Sequence, residues 1–192
     1  MISSKIMVVL FAAGLGFGYS IERAEQGAPL VSVAPRRDPA WLQDLDPGYQ
    51  ELVSTMKRRG FTIEENAPVC RQEDVVGFYT WGQPVVKICT ERIARIRTDP
   101  TTFRTLLQQT IAHEAVHVAQ GCRHRRGGKS SLGLDAAKLY SLPLSVRNDI
   151  QKGLETNRSN EPRSVQWRNE AEAMALEDTP DQVIAALQQF CR

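Results

Sequence analysis

The segment His113-Glu114-Ala115-Val116-His117 constrains this chain more than any other. Two histidines four apart on a helix point from one face, about one turn apart, so both imidazoles can bind one metal ion. Glu114 lies beside them and can take a proton from a water that the metal activates. Zinc at such a site brings the pKa of water to about 7 and polarises a carbonyl. The chemistry requires a helix, and the flanking residues predict one. Asp99 or Thr101 serves as cap, with Pro100 in the first turn. Phe103, Leu106, Leu107, Thr110, Ile111, Glu114 and Val118 recur every three to four residues, and Gly121 is the expected stop. The motif takes up two of the three histidines in the chain.

The surroundings place this helix after a small β region and before a helical half. Pro47 opens an amphipathic helix that carries Leu52, Val53 and Met56 and stops at Gly60. Strands are expected at 61–63, 75–79 and 85–89, the last two joined by the turn Thr80-Trp81-Gly82-Gln83-Pro84. Residues 123–131 read as a basic, Gly/Ser-rich loop. Three more helices follow, near 145–155, 163–177 and 180–190. The fold class is therefore α+β: a small sheet packed on the motif helix, then a mainly helical C-terminal half.

Ile6 to Ile21 is uncharged and apolar and follows Lys5. At 16 residues it is short for a bilayer span of roughly 20. It reads as a signal peptide cleaved after Ser20, or as an uncleaved N-terminal anchor. The chain then divides into 1–21 for targeting, 22–40 as a Pro-containing linker, and 41–192 as the folded domain. Either reading puts the domain outside the cytoplasm, secreted or periplasmic, with a membrane anchor at residues 6–21 as the variant. Four cysteines agree: Cys70, Cys89, Cys122 and Cys191 contain no C-x-x-C pair, and an even count in an oxidising compartment predicts two disulfides. Cys70 and Cys89 bracket the β region. Cys122 follows the motif helix and Cys191 ends the last helix. Those pairings are the expectation, although a simple hairpin about Gly82 does not put Cys70 opposite Cys89. Net charge is only +2, which offers no global attraction for nucleic acid.

The motif and its setting resemble the zincin metallopeptidases, in which an H-E-x-x-H helix packs under a small sheet whose edge strand holds the substrate. The third metal ligand separates the zincin types. The metzincin pattern needs Gly and His at positions held here by Gln120 and Arg123, while Gly121 and His124 each miss by one. A gluzincin uses a Glu on a later helix. Asn169-Glu170-Ala171-Glu172-Ala173 resembles the E-x-E-A stretch of membrane-associated zincins such as the CAAX-processing and heat-shock proteases. That resemblance implies Glu170 as the third ligand. Periodicity agrees, because Glu170 lies within the stripe of Trp167, Ala171 and Met174, whereas Glu172 lies away from it. The family's Asp four residues after the ligand Glu is Met174 here, so another group must orient the first histidine: Glu172, Asn169 or a backbone carbonyl.

The expectation is thus a zinc-dependent peptidase with His113, His117 and Glu170 on Zn2+ and Glu114 as general base. Its substrate is a peptide or protein, bound in extended form along the strand at 85–89. Two rivals stand beside it. One is a non-catalytic zincin-like domain with a closed four-ligand zinc site, for which His124 is the obvious fourth ligand. The other is a disulfide-stabilised interaction protein without metal. The basic run Arg123, His124, Arg125, Arg126, Lys129 is either a solvated turn or a contact for a substrate carboxylate. Tyr140 is either packing or an oxyanion donor.

Overall fold

The computed structural model describes residues 39–72, 75–156 and 161–192. The expected targeting segment at 1–21 and the linker up to residue 38 lie outside the described residues. A short 3-10 helix at Ala40–Asp44 leads into α1, Pro47–Arg58. Pro47 supplies the fixed φ of a first helical residue, and Gly60, at φ +84°, turns the chain out of the helix. β1 (Thr62–Glu65), the one-turn α2 (Val69–Gln72), β2 (Gly77–Tyr79) and β3 (Val85–Ile88) follow, then α3 (Thr90–Ile96). The long α4 spans Pro100–Arg125. After it come α5 (Ala136–Tyr140), α6 (Leu144–Thr156), α7 (Arg163–Leu176) and α8 (Pro180–Phe190). The architecture is α+β and mostly helical, as expected.

The sheet has the order β1-β3-β2, with β1 parallel and β2 antiparallel to β3. This corrects one expectation. The strand assigned to peptide binding, β3, is central and has both edges paired, so it cannot accept a further strand. The edge facing the motif helix belongs to β2.

α4 is the axis of the molecule. Asp99 caps it, its carboxylate accepting from Thr102 N–H at 2.9 Å, and Pro100 stands at its first position. Every residue from Leu107 to Cys122 is buried, so this middle stretch of the helix has no solvent-facing side. α1, α7, α8 and β2 surround it. It also runs one turn past the expected stop. Gly121 stays helical because it serves close packing: a Cβ there would meet Tyr79 Oη at 3.1 Å. The last turn carries Arg123, His124 and Arg125, which complement the helix C-terminus.

Two apolar clusters result. The larger joins α1, the sheet, α4 and α8 around Leu52, Met56, Ile88, Ile111, Val116 and Leu187. The smaller lies between α5, α6 and α7 around Leu139, Ile150, Leu154 and Ala171. α7 therefore lies between α4 and the α5–α6 layer. Both expected disulfides form. Cys70 pairs with Cys89, their Cα atoms 5.4 Å apart, and Cys122 pairs with Cys191 at 5.2 Å. The first works because α2 folds back before β2, which the strand pattern alone did not show. The second ties the C-terminus to the end of α4. Their presence points to an oxidising compartment. No helix among the described residues is long and apolar enough to cross a membrane.

Gly77 is the point where β2 touches α4. A Cβ there would lie 2.6 Å from Thr110 Cγ2 and 2.7 Å from Glu114 Oε1. Gly77→Ala is expected to cost about 1–3 kcal/mol by overpacking and to lower the melting temperature by about 3–10 °C. Differential scanning calorimetry checks this, and an unchanged melting point contradicts so tight a contact.

Candidate metal centre

α4 and α7 together assemble three metal-donor groups. His113 and His117 project from one face of α4, and Glu170 reaches them from α7. The two Nε2 atoms are 3.1 Å apart. Glu170 Oε2 lies 3.4 Å from His113 Nε2, and its Oε1 lies 3.6 Å from His117 Nε2. Ligand atoms about 2.0–2.1 Å from a tetrahedral zinc stand about 3.3–3.4 Å from one another. The three separations lie near that value, with one Glu170 oxygen against each imidazole, so the donor set is of a size to hold a tetrahedral ion. All three residues are buried, and among the described residues this is the one such cluster.

The surrounding hydrogen bonds decide which imidazole nitrogen faces the cluster. His117 Nδ1 lies 2.8 Å from Gln120 Oε1. The Gln120 amide is oriented by its other end, whose Nε2 donates to Asn169 O at 3.0 Å and to Glu172 Oε2 at 3.2 Å. His117 must therefore carry its proton on Nδ1 and present a bare Nε2 to the cluster. The Nδ1 of His113 faces Glu177 Oε2 at 3.8 Å, longer than a hydrogen bond. Glu177 sits just past the C-terminal end of α7, seven residues after Glu170 and on the same side of the helix.

Electrostatics follow from burial. Desolvation alone would lower His113, but the attraction of the Glu170 and Glu177 carboxylates for the imidazolium outweighs it and pushes its pKa up to about 10. Burial lowers His117 to about 4, against an opposing pull from Glu170. Burial raises Glu114 to about 8, with His113 opposing and Glu170 adding to the rise. In the metal-free chain one imidazolium thus supplies the positive charge that the surrounding carboxylates require. A divalent cation bound at the cluster would displace that proton and would pull Glu114 back toward its ionised form.

Glu114 itself points to the sheet side of α4. Its carboxylate accepts the backbone N–H of Tyr79 on β2 and lies against Gly77. It is next in sequence to a donor yet is not one of the three.

Glu172, Glu170 and Glu177 stand differently from the sequence reading, while His124 and Tyr140 take the plainer of the two roles open to each. Glu172, placed away from the apolar stripe, is fully buried. It accepts from Ser131 Oγ at 2.7 Å and from the backbone N–H groups of Leu132, Gly133 and Leu134, so it organises the loop after α4. The stripe of Trp167, Ala171 and Met174 packs into the smaller cluster, against α5 and α6. Glu170 lies at its border and turns to α4 instead. The acidic group that faces the far nitrogen of the first histidine is Glu177, which sequence reasoning missed because it lies beyond the E-x-E-A stretch. A seven-residue repeat from Glu170 was the signal that would have found it. Glu172 does act on the second histidine, through Gln120. His124 is exposed, with its ring 5.4 Å from that of Trp81, and does not join the cluster. Tyr140 is 63% exposed and stacks on Trp167, in a cavity that none of the donors lines.

Fold and centre together define a disulfide-stabilised α+β domain with a candidate two-histidine, one-carboxylate metal site. Residues 41–192 match the model of a family described as a domain of unknown function, DUF8637, and the chain belongs to that family. No curated protein and no solved structure matches it.

Glu177→Gln keeps the size of the side chain but removes the charge that faces His113. It is expected to weaken zinc binding by about 10–100-fold, the usual effect of losing such a partner. Competition against a chromophoric chelator measures this, and unchanged affinity would remove Glu177 from the site.

Proposed function

We propose that this protein is a zinc-dependent peptidase of gluzincin type, acting outside the cytoplasm. The observation that carries the reading is the buried cluster of His113 Nε2, His117 Nε2 and the Glu170 carboxylate, with Glu114 next to them on α4. Three protein donors leave a fourth position for reaction, as catalytic zinc sites do, whereas a structural site closes with four. His124, the fourth donor that the structural reading needs, stays at the surface. That favours catalysis over a closed binding domain.

Zinc bound there would polarise a peptide carbonyl and make water nucleophilic near neutral pH. The rest of the work falls to the chain. Gln120 holds Nδ1 of His117 and so leaves its Nε2 lone pair free, while Glu177 faces Nδ1 of His113 across 3.8 Å. Glu114 takes a proton from the attacking water and delivers it to the leaving amine. The Tyr79 N–H and the close approach at Gly77 hold its carboxylate in one position. The zincin-like fold, zinc as the metal, and secretion guided by residues 6–21 are parts of the same proposal. The disulfides support the compartment.

Glu114→Gln separates catalysis from metal binding. It should retain zinc and melt as the parent does, yet lose about 10²–10⁴-fold in turnover on a mixed peptide library, the share that general base catalysis supplies. Hydrolysis at the parental rate in this variant contradicts the assignment.

A further inference from the structure

The metal face of α4 continues beyond His117 through Gln120 to His124. At its end lies the largest of the described cavities, of about 840 Å³, which the proposed reaction does not use. Its walls carry Arg123, His124, Lys129 and Arg168, and the stacked rings of Tyr140 and Trp167 stand at its side. Two of the cations are held in place rather than free to wander. Arg123 donates from Nη1 to Ser131 O and lies over the Phe190 ring. Arg168 donates from Nε to Ser131 Oγ at 2.7 Å, and from Nη2 to Leu134 O. Ser131 thus draws both guanidinium groups to one wall. Glu172 balances Arg168 from behind at 3.6 Å, and Glu161 is the one acidic residue in the lining.

The charge extends past this cavity. A neighbouring cleft of about 380 Å³ contains Arg59, Arg125, Arg126 and Arg192 and no acidic residue. The two hollows therefore hold seven of the chain's 24 Lys and Arg against one of its 22 acids. The net +2 of the whole hides this segregation, since everything else carries an acidic surplus. Helix-end complementation accounts for Arg123 and Arg125. It does not account for Lys129 or Arg168, which come from other elements.

We infer that the cavity at the C-terminal end of α4 is a subsite for a carboxylate of the peptide substrate, with the Tyr140–Trp167 pair as the apolar wall for its carbon skeleton. This rests on the peptidase reading and names the substrate class: peptides bearing an acidic group to one side of the cut. The carboxylate is either an acidic side chain or the free C-terminus. Pre-set guanidinium groups beside an exposed aromatic face suit such a group, because little ordering is left to do on binding.

The test uses zinc-loaded Glu114→Gln protein and fluorescent, otherwise neutral peptides. One series carries Glu at successive positions with an amidated C-terminus. A second replaces that Glu by Gln. A third is neutral with a free C-terminal carboxylate. Fluorescence anisotropy should show Glu peptides, free-carboxylate peptides or both bound at least about tenfold more tightly than neutral ones. The advantage should shrink as salt rises from about 0.05 to 0.5 M. It should disappear with Lys129→Glu plus His124→Glu, both at exposed positions, and persist with Lys152→Glu, which lines neither hollow. Equal binding of acidic and neutral peptides, or a preference that survives the double variant, overturns the subsite. Wild-type protein with the same peptides keeps the two claims apart. A carboxylate preference in binding without cleavage upholds the subsite and removes the peptidase reading. Cleavage without any carboxylate preference does the reverse.

Discussion

The contact between α4 and α7 through Glu170 is the interaction on which the rest depends. It brings a carboxylate against two imidazoles in the middle of the protein, with Glu114, Glu172 and Glu177 buried close by. Buried ionised groups cost several kcal/mol each unless paired. Such groups stay buried by holding a proton, as burial favours for Glu114, or by pairing with a positive centre. In the metal-free chain His113 takes that part by holding a proton; a divalent cation would do it with more charge and with geometry that matches the donors. The core of α4 is polar at 113, 114, 117 and 120 for this reason, where packing alone would favour apolar residues.

Much of the surrounding architecture serves that contact. α7 lies between α4 and the α5–α6 layer, so neither of its faces is free to turn Glu170 away. Glu172 gathers the backbone of 132–134 and thereby closes the loop that follows α4. Through Gln120 it also reaches His117, so one buried carboxylate both shapes the loop and orients a donor. The Cys122–Cys191 bridge holds α8 against α4, and Gly77 lets β2 approach within contact of Glu114. The catalytic geometry proposed here is thus maintained by a disulfide, a glycine and two acids, none of which is itself a metal donor.

The long helix, its cap at Asp99, the donors His113 and His117, and both disulfides were legible in the sequence because each rests on a local pattern: i, i+4 spacing, Pro at a first position, Cys at element ends. Glu170 was legible too, although through resemblance more than through periodicity, since the stripe invoked for it faces the other layer. What escaped had non-local causes. The place of β3 at the sheet centre depends on β1 pairing in parallel across α2, which alternation within one strand does not encode. The burial of Glu172 depends on a loop forty residues earlier folding over it. Gly121 reads as a helix stop until Tyr79 is seen against it. Glu177, which faces His113 from just past the end of α7, lies beyond the stretch on which the resemblance rests.

The central claim concerns the ion. Zinc-edge X-ray absorption on protein purified without added metal tests it most directly. The account predicts one zinc per chain in a shell of two imidazole nitrogens at about 2.0–2.1 Å and oxygens at about 2.0–2.2 Å, with no sulfur. That shell should be lost in Glu170→Ala. A chain that neither retains nor takes up zinc, or a shell containing sulfur at about 2.3 Å, would contradict it.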